Sequence, residues 1–203
     1  LVCEAATGVN NIDLEACRER NIPVRNVAGY STDSVVQATF MHILSLLGNA
    51  PYYDNTVKNG TYSAGTLFTD VSRSFYEIRG KRIGIVGMGA IGTGVARVAE
   101  AFGMEVVYYS TSGTGHCKEW PSISLEELMR TSDVISIHAP YNERTAGLIG
   151  EAELAMMKPT AIIVNMGRGG IVDEEALAQA IDNDSIGGAA LDVFAREPLP
   201  GDS

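Results

Sequence analysis

Ile83-Gly84-Ile85-Val86-Gly87-Met88-Gly89-Ala90-Ile91-Gly92 runs a short apolar segment into a glycine-spaced turn, and its reading decides the fold. With 22 glycines in the chain, a lone G-x-G-x-x-G can arise by chance. Here it follows a predicted buried strand and opens a predicted helix over 91–102, the context that gives the spacing its meaning. Gly87 permits a tight turn, Gly89 leaves no side chain between backbone and a pyrophosphate, and Gly92 lets the helix lie close on the strand. The unpaired N–H groups and dipole of the helix start then hold phosphates. Ala90 and Ile91 belong to the same first turn. The plain alternative is a strand–helix turn with no ligand.

Working outward, strands and helices alternate. Strands are predicted at 105–109, 133–138, 161–165 and 188–193, with helices at 124–130, 150–157 and 173–182 between them. Ser124 with Glu127 three residues on reads as a capping box. This rhythm implies an α/β fold, a Rossmann-type doubly wound parallel sheet with helices on both faces. Upstream, 1–6 and 24–27 read as short strands around a helix at 12–20, with Asn11 as its N-cap. A long helix over 31–47 carries Val35, Val36, Ala38, Phe40, Met41, Ile43, Leu44, Leu46 and Leu47. Apolar nearly all round, it reads as buried between layers or domains, and as a subunit interface. Residues 59–75 read as an extended connection.

The 203 residues suffice for one domain and part of a second. At 45% hydrophobic and 20% charged the chain reads as globular. A net charge of −10 makes nucleic acid and anionic membranes poor partners. The apolar runs are too short to cross a bilayer. Cys3, Cys17 and Cys117 lack metal-ligand spacing, so no metal is expected, and reduced thiols point to the cytoplasm. The chain opens at Leu1 inside an apolar run, which reads as a fragment.

Cofactor choice in such a fold turns on the end of the strand after the glycine turn, where an acidic residue binds the ribose of NAD. That strand ends in Ser110-Thr111-Ser112, and Glu105 sits at its other end. Hydroxyls can donate to a ribose or to a 2′-phosphate. No Arg follows, and the nearest Lys is Lys118. The cofactor is read as NAD, with NADP left open.

Two later segments carry a more specific resemblance: Val164-Asn165-Met166-Gly167-Arg168-Gly169-Gly170-Ile171-Val172-Asp173-Glu174, and Gly188-Ala189-Ala190-Leu191-Asp192-Val193-Phe194 followed by Ala195-Arg196-Glu197-Pro198. Both resemble signatures of the D-isomer-specific 2-hydroxyacid dehydrogenases. So do Thr7-Gly8-Val9-Asn10-Asn11-Ile12-Asp13 and Asn26-Val27-Ala28-Gly29-Tyr30-Ser31-Thr32. The resemblance implies that residues 1–30 end a flavodoxin-like substrate domain and that 31–203 form the NAD(P)-binding domain. It places the family's catalytic arginine on Arg168, whose guanidinium fork suits a 2-keto acid carboxylate. It places the catalytic glutamate on Glu197, partner of a general-acid histidine. Thr7, Ser110, His138, Ala139, Pro140, Met166, Gly167 and Asp192 match positions lining the cofactor. A surface ion pair is the plain reading of Arg168, a solvated loop that of Glu197, and a turn or cap that of Asp192. For the apolar positions it is core packing.

The resemblance also implies a departure. The family's histidine lies in a T-P-H-x-G-type motif beyond the Glu-Pro segment, and the sequence reaches Gly201-Asp202-Ser203 without one. His42, His116 and His138 do not match it. The implied reaction is hydride transfer between NAD(P)H and a small 2-keto or 2-hydroxy acid, with hydroxypyruvate/glycerate favoured, by a homodimer. These 203 residues alone are expected to be nearly inactive. The motifs are similar too to the C-terminal-binding-protein corepressors, dinucleotide sensors of the same fold. Phosphite or formate oxidation is a further branch of the same chemistry.

Overall fold

Five parallel strands form the central sheet: β3 (Arg82–Val86), β4 (Glu105–Tyr109), β5 (Val134–Ile137), β6 (Ile162–Asn165) and β7 (Gly188–Leu191). Their spatial order is β4-β3-β5-β6-β7. The computed structural model describes residues 1–9, 11–115 and 117–201. Asn10 of the opening motif, His116 and the Asp202-Ser203 end lie outside the described residues.

The strands are short, apolar and covered on both faces, as parallel sheets require. On one face Ile83, Ile85, Val106, Tyr108, Val134, Ile162 and Val164 pack under α2 (Thr32–Leu47) and α5 (Ala90–Ala101). On the other, Val86, Ile135, Ile137 and Ile163 pack under α6 (Leu125–Thr131), α7 (Glu151–Leu154) and α8 (Glu174–Asp182). Successive residues go to opposite faces, the two-residue period of a strand. The doubly wound fold read from the alternation is the fold observed.

Register sets the functional edge. Val86 pairs with Tyr109 and with Ile137. Ile137 pairs with Asn165, and Asn165 with Leu191. All five carboxyl ends therefore stand in one row. After β3 the chain goes to β4 on one side, then crosses to β5 on the other. The crevice between β3 and β5 is thus the topological switch point, where ligands of such sheets bind.

Helix starts follow their caps. Asp173 accepts from Glu175 N and Ala176 N at the head of α8, and Ser124 from Glu127 N at the head of α6. Upstream, β1 (Val2–Glu4) and β2 (Val24–Asn26) form a separate parallel pair around α1 (Leu14–Glu19). The cap of α1 is Asp13, which accepts from Ala16 N at 2.8 Å, and not Asn11. A carboxylate also favours the positive helix end, and Asn11 instead donates to Glu4 at 3.3 Å.

Two expectations change. Residues 50–64 coil into α3 (Ala50–Lys58) and a single turn, α4 (Thr61–Ala64), before an extended run. Pro51 suits the first turn of α3, and the Asp54–Lys58 pair supports its last. Polar composition hid both elements. Nor is α2 covered all round: Val36, Phe40, Ile43 and Leu47 are buried, while Met41 and Leu44 are 58% and 43% exposed.

At the opposite, amino-terminal edge, Asp133 ties the sheet together. Its carboxylate accepts from Arg82 N at 2.8 Å and from Lys158 Nζ at 2.9 Å. Burial works against its charge, but these donors outweigh that and hold the carboxyl below its ordinary range. Asp133→Asn is expected to lower stability by about 1–2 kcal/mol in urea unfolding. Lys158→Ala should cost less, because the Arg82 bond survives. Equal costs would locate the contribution in the ion pair instead.

Candidate functional site

The residue that follows each strand of the row is one the sequence singles out: Ser110 after β4, Gly87 after β3, His138 after β5, Met166 after β6 and Asp192 after β7. One sheet edge thus gathers residues spread over 105 positions of sequence, from Gly87 to Asp192.

Gly87 has φ +95°, and a Cβ there would lie 2.9 Å from Ala139 N. The β3 turn and the β5 loop touch backbone to backbone. A Cβ on Gly92 would run into the Gly87 carbonyl oxygen, so α5 lies directly on the turn. A Cβ on Gly89, by contrast, would meet nothing within 4 Å. Gly87 and Gly92 are bare because protein fills the space, Gly89 because its space faces outward. Gly89 is also the N-cap of α5 and has no side chain to satisfy the first-turn N–H groups. Those of Ala90, Ile91 and Gly92 are left for an anion. The arrangement fits the pyrophosphate of a dinucleotide.

On the β5 side, Ala139 is buried and Pro140 exposed. Ser136, fully buried, holds His138 Nε2 at 2.8 Å. His138 Nδ1 is shielded from solvent with no hydrogen-bond partner among the described residues. Burial pushes the imidazole down to about 4, so the ring is neutral at pH 7. A neutral ring suits packing beside a cofactor better than proton donation.

After β6, Asn165 acts where the sequence reading gave it no role. Its side chain is 2% exposed; Oδ1 accepts from Gly167 N and Nδ2 donates to Arg168 O, both at 3.0 Å. The amide clamps the Met166-Gly167-Arg168 turn from inside. An Asn at a strand end, whose side chain can bond the backbone two residues on, is itself a turn signal. A Cβ on Gly167 would lie 2.8 Å from Ala139 O, so this turn also leans on the β5 loop.

Arg168 donates to Gly167 O at 2.8 Å and lines a pocket of about 390 Å³ with Glu4, Thr7, Gly8, Tyr30 and Ser31. Thr7 and Arg168, 161 positions apart in sequence, thus share one cavity wall. Gly169 packs against Phe194 so tightly that a Cβ would overlap its carbonyl. The Arg168 turn and the 194–197 segment are therefore neighbours. Within that segment Glu197 accepts from Phe194 N at 2.9 Å, and Glu174 from Ala195 N at 2.6 Å. Asp192 is exposed, its N–H donating to Asn165 O at 3.0 Å.

Beyond β4, Ser110 Oγ donates to Thr114 O at 2.6 Å. Glu105 pairs with Arg82 at 2.7 Å, at the far edge of the sheet. Among the described residues no group of three or more His, Cys, Asp or Glu could hold a metal ion.

A parallel sheet with a glycine turn at its switch point, and a bare helix start facing outward, defines a dinucleotide-binding α/β domain. The family model described as "D-isomer specific 2-hydroxyacid dehydrogenase, NAD binding domain" matches residues 40–203. The chain belongs to this family, and the match covers the Gly87–Gly92 turn and every strand of the five-stranded sheet.

A glyoxylate reductase from Aeropyrum pernix is 41% identical over 203 residues, covering 98% of this chain and 61% of that protein. A glycerate dehydrogenase from Methylorubrum extorquens is 35% identical over 198 residues, covering 98% and 62%. The crystal structure of D-lactate dehydrogenase from Aquifex aeolicus, complexed with NAD and lactic acid, superposes with a TM-score of 0.86 at 34% identity, covering 97% and 59%. The chain spans about three fifths of the length of these relatives. The family, the fold and the NAD(P) cofactor are those expected from the sequence.

His138 makes stability depend on pH with a definite sign. Its folded value of about 4 lies below the ordinary 6.5, so the unfolded chain takes up the proton first. Stability is full above pH 6.5 and falls as the pH drops toward 4, by on the order of 3 kcal/mol. Urea unfolding from pH 7.5 to 4.5 measures this. His138→Gln should remove that part of the slope, and an unchanged slope would assign it to other groups.

Proposed function

We propose that this chain is the nucleotide-binding part of a dehydrogenase that interconverts a small 2-keto acid and its D-2-hydroxy acid. Residues 1–30 are the end of a substrate domain and 31–203 the NAD(P)-binding domain. The observation that carries the reading is the cavity that Arg168 shares with Thr7, at the same sheet edge as the Gly87–Gly92 turn. It is open to small molecules and has a cation in its wall.

Ala90, Ile91 and Gly92 N–H groups hold the pyrophosphate. Gly87, Gly89, Thr7, His138, Ala139, Pro140, Met166 and Gly167 line the cofactor, and Ser110 and Asp192 stand at its two ends. Bound reduced nicotinamide supplies the hydride. Arg168 takes the substrate carboxylate and polarises the carbonyl. To reach it the guanidinium leaves Gly167 O, a single neutral contact that a charge-assisted fork outweighs. Glu197, now on Phe194 N, is placed to orient a protonated partner. Among the described residues no histidine lines the Arg168 cavity. On this reading the 203 residues act as a binding unit, and a group other than these histidines donates the proton.

Two similar relatives are named a glyoxylate reductase and a glycerate dehydrogenase. Both names point to acids of two or three carbons, so glyoxylate and hydroxypyruvate are the substrates to test. The three cysteines are unpaired, which supports a reducing cytoplasm. No helix among the described residues is long and apolar enough to cross a membrane.

The uncovered apolar surface supports a homodimer. Met41 and Leu44 on α2 are exposed, and so are Leu67, Phe68 and Phe75 in the run after α4, Phe68 by 90%. A second copy of the chain would cover them.

The function is tested by titrating the chain with NADH and NADPH, read by nicotinamide fluorescence, and assaying glyoxylate and hydroxypyruvate. Saturable binding is expected, with turnover about 10²–10⁴-fold or more below a complete family member. Gly89→Asp should abolish binding while leaving the fold intact. Turnover near that of a complete enzyme would overturn the placement of the proton donor. A parent protein that binds dinucleotide without turnover would favour the sensor reading. Sedimentation should show a dimer that Met41→Asp with Phe68→Asp dissociates; a wild-type monomer at tens of micromolar would refute that assignment.

A further inference from the structure

The structure brings together two loops that the sequence keeps far apart. One follows β4 and contains Ser110, Thr111, Ser112, Gly113 and Thr114. The other follows β5 and contains Pro140, Asn142, Glu143 and Arg144. Between them lies a cavity of about 650 Å³, lined by Thr111, Ser112, Pro140, Asn142, Glu143 and Arg144. Because β4 and β5 are the two neighbours of β3, this cavity flanks the Gly87–Gly92 turn. A dinucleotide whose pyrophosphate sits on that turn has its adenosine ribose at the end of β4.

Arg144 reaches across the gap. Its Nη1 donates to Ser112 O at 2.9 Å, over 32 positions of sequence. A Cβ on Gly113, which has φ +82°, would lie 3.7 Å from the same nitrogen. The loop that carries the arginine is braced from below. Arg144 N donates to Asn142 Oδ1 at 2.9 Å, and Asn142 N to Thr145 Oγ1 at 2.8 Å. Thr145, fully buried, donates in turn to Pro140 O at 2.7 Å. The guanidinium is thus a positioned cation, with one of its five donors spent on the partner loop.

The β4 loop matches it in chemistry. From Ser110 to Lys118 the chain carries no carboxylate. The acidic residue that would accept from a ribose 2′-hydroxyl and repel a phosphate is replaced by hydroxyls. Ser110 Oγ and Ser112 Oγ lie 3.1 Å apart and both reach Thr114 O, and Ser112 lines the cavity. Glu143 is the carboxylate in the lining and the opposing charge.

We propose that Arg144 is a specificity-determining residue and that this loop pair takes the 2′-phosphate of NADP(H) in preference to the bare ribose of NAD(H). The proposal rests on dinucleotide binding at Gly87–Gly92 and goes beyond it, by assigning the choice between two cofactors. The phosphate monoester, close to doubly charged at neutral pH, receives the guanidinium from one side and meets a wall without carboxylates, Thr111 and Ser112, on the other. Swinging onto the phosphate costs Arg144 only its bond to Ser112 O.

The test is a titration of the 203-residue chain with NADPH and with NADH, beside 2′,5′-ADP and 5′-AMP as probes of the adenosine half. NADPH is expected to bind about tenfold or more tightly than NADH, and 2′,5′-ADP more tightly than 5′-AMP, both preferences shrinking as salt rises. Arg144→Ala should weaken NADPH and leave NADH within about twofold. Glu143→Gln should strengthen NADPH. Wild-type binding of NADH as tightly as NADPH overturns the proposal, whether or not the variants fold. So does an Arg144→Ala chain that loses both ligands equally, because the arginine would then only brace the loop. Binding of neither ligand by a chain folded by circular dichroism removes the dinucleotide reading, and this proposal with it.

Discussion

The contact on which the ligand edge depends is backbone against backbone, where the β3 turn at Gly87 meets the β5 loop at Ala139. Gly92 brings α5 onto the same turn from one side, and Gly167 leans on Ala139 from the other. Three segments from different parts of the chain approach at distances that exclude even a methyl group. Such approach is possible only where glycine removes the Cβ. It fixes the spacing between the helix start, the His138 loop and the Arg168 turn. Asn165 completes the frame from beneath by satisfying the turn's own N–H and C=O groups. The outward side of Gly89 is what remains open, and it is open because everything around it is closed.

The two edges of the sheet divide the work. At the amino edge Asp133 joins β3 to the segment before β6 through Arg82 N and Lys158, and Arg82 with Glu105 adds a bridge to β4. At the carboxyl edge the loops present a bare helix start, a clamped turn at Arg168, and an arginine spanning two loops. The ties at Asp133 therefore stand at the edge opposite the loops that we propose bind the ligand. Substitution in the β4 or β5 loops can alter recognition while the sheet stays as it is.

What could be read from the sequence was whatever has a local period or a local motif. The alternation of strands and helices, the glycine turn, and the cap at Ser124 are all written within a few residues. The row of ligand-edge residues was legible too, because each directly follows an apolar run. Four things were not. The helix over 50–58 lacks an apolar stripe and stands on Pro51 and an i,i+4 ion pair, weak signals in a polar stretch. The cap of α1 moved by two residues because Asn and Asp compete on nearly equal terms, and the pairing of Asn11 with Glu4 is tertiary. Arg144 was invisible as a partner of Ser112, because only strand order makes their loops adjacent. Asn165 stood inside a quoted motif and went uncredited, because its role is to hold a turn and not to touch a ligand.

The strand order also carries a consequence for how the chain comes into being. The three adjacent strands β4, β3 and β5 are all made before residue 138. Every later strand then joins an edge that already exists: β6 beside β5, β7 beside β6. A chain emerging from its amino end can accrete this sheet strand by strand, without inserting a late segment between two early ones. Long-range pairing is the slow part of building parallel sheets, and here only β5 passes over the strand before it to reach an earlier one. The order that leaves a crevice for a ligand also lets synthesis and assembly run in the same direction.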